Sequence, residues 1–88
     1  MRLTNVLIFG ATSGIAAATA QRYAESGGRL VLVARDPARL DILAADLRVL
    51  GAAQVDVLAA DLADTERHAE LITAAKDALP QLDVVLVA

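Results

Sequence analysis

The chain has 88 residues, of which 57% are hydrophobic and 2% aromatic, and its formal net charge is -3. This length is enough for one small domain, and a net negative chain without a basic block argues against a nucleic-acid-binding protein. With no cysteine, disulfides and thiolate metal sites are excluded, and the single histidine, His68, cannot form a multi-histidine site, so we expect no metal.

The first half of the chain alternates between strand and helix patterns. The apolar run Val6 to Phe9 predicts a buried strand, and Ile15 to Ser26 predicts a helix. Gly27-Gly28 ends this helix, because a left-handed cap favours glycine. A second buried strand is predicted at Leu30 to Val33.

A second helix is predicted to begin at Asp36-Pro37, because Asp is a good N-cap and Pro fits the first helical turn. Gly51 ends it. Leucines at helical spacing form one apolar stripe along it: Leu40, Leu43, Leu47 and Leu50.

The second half of the chain continues the alternation. A third strand is predicted at Val55 to Ala59, and a third helix, capped by Asp64 or Thr65, ends at Pro80. Val84 to Val87 predicts a fourth strand. The apolar side of the third helix is predicted to carry Leu71, Ile72, Ala75 and Leu79.

The order β-α-β-α-β-α-β predicts an α/β fold, a three-layer Rossmann-type parallel sheet with helices on both faces. We interpret residues 1–88 as one unit. The fourth strand, Val84 to Val87, is apolar and is followed by no turn or cap. We therefore expect an incomplete sheet, the N-terminal part of a longer protein, which forms a homo-oligomer or aggregates through this exposed edge.

No segment is long and apolar enough to predict a membrane span. The apolar core of the N-terminal stretch, Val6 to Phe9, is too short for a signal peptide. We therefore expect a soluble cytoplasmic protein.

The most informative motif lies between the first strand and the first helix and reads Gly10-Ala11-Thr12-Ser13-Gly14-Ile15-Ala16. A glycine-rich turn lets a ligand approach the backbone, and the helix start directs free N–H groups and a partial positive charge at a phosphate. The motif predicts a nucleotide-binding loop, and the alternative is a plain tight turn. The chain lacks the pattern G-x-x-x-x-G-K-[ST], which argues against a P-loop NTPase.

Over its full length the chain resembles the short-chain dehydrogenase/reductase family, whose pattern is Thr-Gly-x-x-x-Gly-x-Gly. Gly10 and Gly14 match, whereas Phe9 replaces the Thr and Ala16 replaces the last Gly. The resemblance implies a nicotinamide dinucleotide and hydride transfer between the nicotinamide and a small carbonyl or alcohol substrate.

We assign part of this loop to cofactor binding: Gly10, Thr12, Ser13, Gly14 and Ile15. The Ser13 hydroxyl is placed either to contact a ribose or phosphate oxygen or to cap the helix that follows, and both interpretations stay open.

The residues after the second strand bear on the choice of cofactor. The resemblance puts Ala34 at the family's acidic position, which specifies NAD, and Arg35 follows it. An Arg near this strand end accommodates the 2′-phosphate of NADP, so we favour NADP over NAD. Arg39 is interpreted as a solvated helix residue that adds charge at most, and Asp36 as the helix cap rather than a partner of Arg35 or a ribose ligand.

After the third strand, Asp61 and the apolar Leu62 match the family by position and type. The resemblance implies that Asp61 contacts the adenine amino group and that Leu62 belongs to the same site. The alternative for Asp61 is a loop or capping carboxylate.

We assign no catalytic residue. The family's chemistry depends on a Ser and a Tyr-x-x-x-Lys pair, but Gly27 stands four places after the only tyrosine, Tyr23. Lys76 and His68 are interpreted as helix-surface residues. The 88 residues alone are therefore expected to be inactive, and the alternative is a non-catalytic nucleotide-binding module or assembly domain.

Overall fold

A computed structural model describes residues 4–61, 67–79 and 81–88. Its strands and helices alternate as predicted, and where ends were predicted within the described residues they lie within one residue of the prediction. In chain order they are β1 (Asn5–Phe9), α1 (Gly14–Glu25), β2 (Arg29–Ala34), α2 (Pro37–Leu50), β3 (Gln54–Ala59), α3 (His68–Ala78) and β4 (Val84–Val87).

Four predicted positions lie outside the described residues: Leu62, Asp64, Thr65 and Pro80. The site role of Leu62 and the predicted cap and stop of the third helix therefore stay predictions.

The described strands form one parallel sheet in the order β3-β2-β1-β4. Val6 of β1 is aligned with Leu30 of β2 on one side and with Val84 of β4 on the other. The chain thus moves outward from β1 to β3 and then returns to the far side of β1. Because parallel crossovers are right-handed, this reversal puts α1 and α2 on one face and α3 on the other.

Two apolar clusters fill the space between these layers. On one face, Val6, Ile8, Leu30 and Leu32 pack with the buried residues of α1 and α2, and the buried residues of α1 are all alanines: Ala16, Ala20 and Ala24. On the other face, the alternate strand residues Leu7, Phe9, Val31 and Val33 face the other way. They pack with Leu71 and Ala75 of α3 and with Leu79, which follows that helix. The Rossmann-type architecture is confirmed, with every described residue of β1 buried.

The predicted N-cap of α2 and the glycines predicted to end α1 and α2 are confirmed. The Asp36 carboxylate accepts hydrogen bonds from the backbone N–H groups of Ala38 (3.0 Å) and Arg39 (3.3 Å), so it caps α2 as predicted. Gly27 follows α1 with φ +79° and Gly51 follows α2 with φ +122°. Both values lie in the left-handed region that glycine tolerates.

Two predicted core residues are exposed. Leu50 is 41% exposed and Ile72 is 40% exposed. Leu50 lies three residues after the buried Leu47, about 60° short of a full turn, and Ile72 is rotated about 100° from the buried Leu71. Both helices therefore bury a narrower stripe than the leucine spacing predicts.

In the described part of the chain, no helix is long and apolar enough to cross a lipid bilayer.

Candidate functional site

The loop after β1 turns sharply at Gly10 and is held against the end of β2. Gly10 has φ +75°, in the left-handed region. The N–H groups of Gly10 and Ala11 both donate to the Val33 carbonyl oxygen, at 2.8 and 3.1 Å, and the Ser13 N–H donates to the Gly10 carbonyl at 3.0 Å. The backbone geometry of the predicted loop is thus fixed by the sheet.

Ser13 is the N-cap of α1. Its Oγ accepts a hydrogen bond from the Ala16 N–H at 3.3 Å, which satisfies one free donor of the first helical turn. The predicted capping role is therefore present. The side chain is also exposed at the mouth of the loop, so contact with a ligand oxygen stays a prediction.

Gly14 and Ala16, the last two small residues of the motif, have different surroundings. A Cβ added to Gly14 would meet no heavy atom within 4 Å, and its φ is not positive. Neither packing nor backbone conformation within the described residues therefore requires glycine there. Ala16, by contrast, is fully buried against the sheet, as the helix-packing role of the last motif position predicts.

The carboxyl ends of β1, β2 and β3 open onto a cleft of about 430 Å³. Parallel strands end at the same edge, and ligands of open α/β sheets bind there. The described residues lining the cleft are Gly10, Thr12, Ser13, Ala34, Arg35, Arg39, Ala60, Asp61 and Ala88.

Five predicted site residues, which are far apart in sequence, line this one cleft: Gly10, Thr12, Ser13, Arg35 and Asp61. Gly14 and Ile15 are not among its lining residues and lie beside it in the first turn of α1. The Ile15 side chain is 81% exposed.

The end of β2 exposes positive charge to the cleft. Ala34 stands where the resemblance places the family's acidic residue, and it is 4% exposed. The next residue, Arg35, is exposed. Among the described residues, neither Arg35 nor Arg39 forms an ion pair, and the Asp36 carboxylate is engaged in capping α2. The interpretation of Asp36 as a cap is confirmed.

Asp61 is positioned by the end of β3. The Ala60 N–H donates to the Ala34 carbonyl oxygen at 2.8 Å, which ties the start of this loop to β2. Asp61 follows, is exposed, and lines the cleft together with Gly10 and Ser13.

Two residues that were not assigned to the site from the sequence also line the cleft. Arg39 was interpreted as a solvated helix residue; it is exposed, but it also lines the cleft. Ala88 lines it as well, because β4 pairs with β1. The position of Arg39 in the first turn after Asp36 was the available signal, since that turn lies at the same edge of the sheet.

Residues that we did not assign to catalysis lie elsewhere. Tyr23 is half-buried and packs on the core between the sheet and α1, and Lys76 is exposed on α3. The side chain of His68 lies outside the described part of the structure. Among the described residues, no cluster of side chains is suited to a metal ion.

Comparison with known proteins agrees with this geometry. The human hydroxysteroid 11-beta-dehydrogenase 1-like protein is 37% identical over 81 residues, which are 92% of this chain and 26% of that protein. An NADH-dependent reductase solved with NAD has a TM-score of 0.85 and 30% identity, and covers 98% of this chain and 36% of its own.

A metagenomic short-chain oxidoreductase solved with NADP has a TM-score of 0.84 and 29% identity, and covers 93% of this chain and 37% of its own. The chain thus spans 26 to 37% of the length of these relatives. The sequence model of the short chain dehydrogenases matches residues 4–88. The chain belongs to the short-chain dehydrogenase family.

Proposed function

We propose that residues 1–88 are the N-terminal part of a single NAD(P)-binding domain in an oxidoreductase that prefers NADP. The observation that carries the proposal is the cleft at the ends of β1 and β2, where the Gly10 loop, Ser13 and Arg35 meet. In the whole protein, the bound nicotinamide would exchange hydride with a carbonyl or alcohol substrate. The substrate class rests on family membership and on the dehydrogenase and reductase names of the relatives.

The described residues fit a dinucleotide phosphate. The start of α1 faces the cleft loop, and its N–H groups and dipole favour an anion. The empty space in front of Gly14 lets a pyrophosphate approach the backbone, which a side chain would prevent. In this assignment Gly10 makes the turn, Gly14 and Ile15 present the backbone, and Thr12 and Ser13 offer hydroxyl groups.

Arg35 supports NADP rather than NAD. Relatives of similar fold were solved with either cofactor, so the fold alone does not select one. A carboxylate at the end of β2 would hold the ribose hydroxyls of NAD. This chain has the buried Ala34 there instead, followed by an exposed guanidinium group that suits the 2′-phosphate.

Asp61 is proposed to accept a hydrogen bond from the adenine amino group, with Leu62 beside it. The position of Asp61 in the lining of the cleft supports this role. A carboxylate is an acceptor only, so it pairs with the amino donor of adenine. The NADP-binding role thus uses three loops that follow three neighbouring strands.

The experiment compares Arg35→Ala with the unchanged protein, produced from the complete reading frame. We expect the dissociation constant for NADPH to rise about 10- to 100-fold, the value of a charge-assisted hydrogen-bond pair, while that for NADH stays nearly constant. Arg22→Ala is the matched control, since Arg22 is exposed on α1 and lies outside the lining of this cleft. Equal weakening of NADPH and NADH contradicts the NADP preference, and binding of neither contradicts the function.

A second candidate is a non-catalytic nucleotide-binding module that assembles through β4. It is favoured by the exposed apolar side chains of that strand, Val85 (55%) and Val87 (71%). The two candidates differ in the coding sequence beyond codon 88. A Ser followed by a Tyr-x-x-x-Lys motif supports the oxidoreductase, in which these 88 residues alone do not turn over, whereas a stop codon supports the module.

A further inference from the structure

Arg39 lies at the junction of two clefts. It lines the 430 Å³ cleft with Arg35 and Ser13. It also lines a smaller cleft of about 220 Å³ between α1 and α2, together with Thr12 and Asp46. The side chain is exposed and, among the described residues, forms no ion pair. Two arginines that are four residues apart therefore line one cleft, whose described lining holds a single carboxylate, Asp61.

The backbone donors at the start of α2 are already engaged. A helix N-terminus normally offers free backbone donors to an anion. Here the Ala38 and Arg39 N–H groups already donate to the Asp36 carboxylate, at 3.0 and 3.3 Å. An anion beside Arg35 therefore gains little from the backbone of α2 and is repelled by Asp36. Side-chain cations must supply the attraction, and Arg35 and Arg39 are the two that line the cleft.

We propose that Arg39 is a second specificity-determining residue, which holds the 2′-phosphate of NADP jointly with Arg35. The inference rests on the proposed function of the cleft. A phosphate monoester carries a charge of about -1.5 to -2 at neutral pH, so it favours two guanidinium groups over one. Arg39 lies in the first turn of α2, where its backbone N–H is fixed by the Asp36 cap. The cap of this helix and the proposed phosphate ligand are therefore three residues apart.

Asp46 is a competing carboxylate, because it lines the smaller cleft with Arg39. Without a phosphate, Arg39 is free to orient toward either cleft. Binding of a 2′-phosphate selects the orientation toward Arg35. Asp46→Asn removes this competition, so we expect it to strengthen NADPH binding slightly and to leave NADH binding unchanged.

The test is calorimetric binding to the protein from the complete reading frame, with two pairs of probes. NADPH is compared with NADH, and adenosine 2′,5′-bisphosphate with AMP. For Arg39→Ala we expect about fivefold weaker binding of NADPH and the bisphosphate, with NADH and AMP unchanged, because one solvent-exposed charge-assisted contact is lost. Arg39→Lys, which keeps the charge without the planar fork, should lie between.

Arg22→Ala is again the control for loss of one exposed positive charge, and it should change none of the four affinities. The double variant Arg35→Ala/Arg39→Ala should lose less than the product of the two single effects, because both side chains contact one phosphate. Thermal unfolding of each variant checks that the fold is retained.

Two results distinguish a failure of the Arg39 role from a failure of the proposed function. If Arg35→Ala is selective for NADPH but Arg39→Ala affects NADPH and NADH alike, or neither, the role of Arg39 is overturned and the proposed function stands. If Arg35→Ala also shows no selectivity, the NADP assignment itself is overturned.

Discussion

Gly10 and Ala88 meet at the carboxyl edge of the sheet, although 77 residues separate them in the chain. A Cβ added to Gly10 would lie 3.2 Å from the Ala88 carbonyl oxygen. Ala88 is held there because its N–H donates to the Phe9 carbonyl oxygen at 3.1 Å, which extends the pairing of β4 with β1. The sharp turn of the loop and the position of the last strand thus depend on one another.

Gly10→Ala should therefore destabilise the fold. The substitution meets both the left-handed φ of +75° and the close Ala88 oxygen. A left-handed backbone costs an alanine roughly 1–2 kcal/mol, and we expect the free energy of unfolding in urea to fall by at least this amount. An unchanged midpoint with an unchanged slope would show that the loop can relax at no cost.

Gly14→Ala provides the contrast within the same loop. The added methyl group meets nothing within 4 Å, and alanine favours a helix over glycine by up to about 1 kcal/mol. We expect stability to be retained or raised, but NADPH and NADH to bind more weakly, because the methyl group occupies the space proposed for the pyrophosphate. Equal binding by the variant and the unchanged protein would remove Gly14 from the site.

Asp36 allows its capping role to be separated from a ribose-binding role. Asp36→Ala should lower the free energy of unfolding by about 1 kcal/mol, whereas Asp36→Asn should retain most of it, since Asn is an equally good N-cap. Neither variant should weaken NADH binding, measured by calorimetry. Weaker NADH binding in both variants would mean that the carboxylate also contacts the ribose.

The exposed side of β4 predicts self-association of the 88-residue chain. Val85 and Val87 are exposed on the face that α3 covers elsewhere, and unpaired apolar edges recruit other strands. Light scattering should show dimers or larger species, and Val87→Lys should shift them toward monomer. Val49→Lys is the matched control, because Val49 is 88% exposed on α2, which packs on β2 and β3. A monomeric unchanged chain at high concentration contradicts the prediction.

Most of the fold was predictable because its signals are local. The run Val6 to Phe9 is buried on both faces, and a short continuous apolar run that a glycine-rich turn follows is typical of a parallel strand. Asp36 and Gly27 act on the backbone of their own helix ends, so their roles follow from the adjacent sequence. The loop Gly10–Ala16 was recognisable for the same reason, since strand, turn and helix are contiguous.

Burial along the helices was less predictable. The sequence spacing of Leu50 and Ile72 is compatible with a broad apolar stripe, but only part of each helix surface faces the sheet. Which part is decided by how the helix lies across the strands, a property that depends on the whole packing of the layer. Ala16 is the converse case, because its small side chain allows α1 to approach the sheet closely and is buried there as predicted.

The sequence by itself determined the alternation of strands and helices, the glycine-rich loop, the caps and the positions of Arg35 and Asp61 at strand ends, because each depends on neighbouring residues. Only the tertiary structure decided that Gly10, Asp61 and Ala88 share one cleft and that Arg39 lines it with Arg35. The reason is physical: parallel pairing in the order β3-β2-β1-β4 brings the ends of distant strands to one edge, and no local pattern encodes that distance.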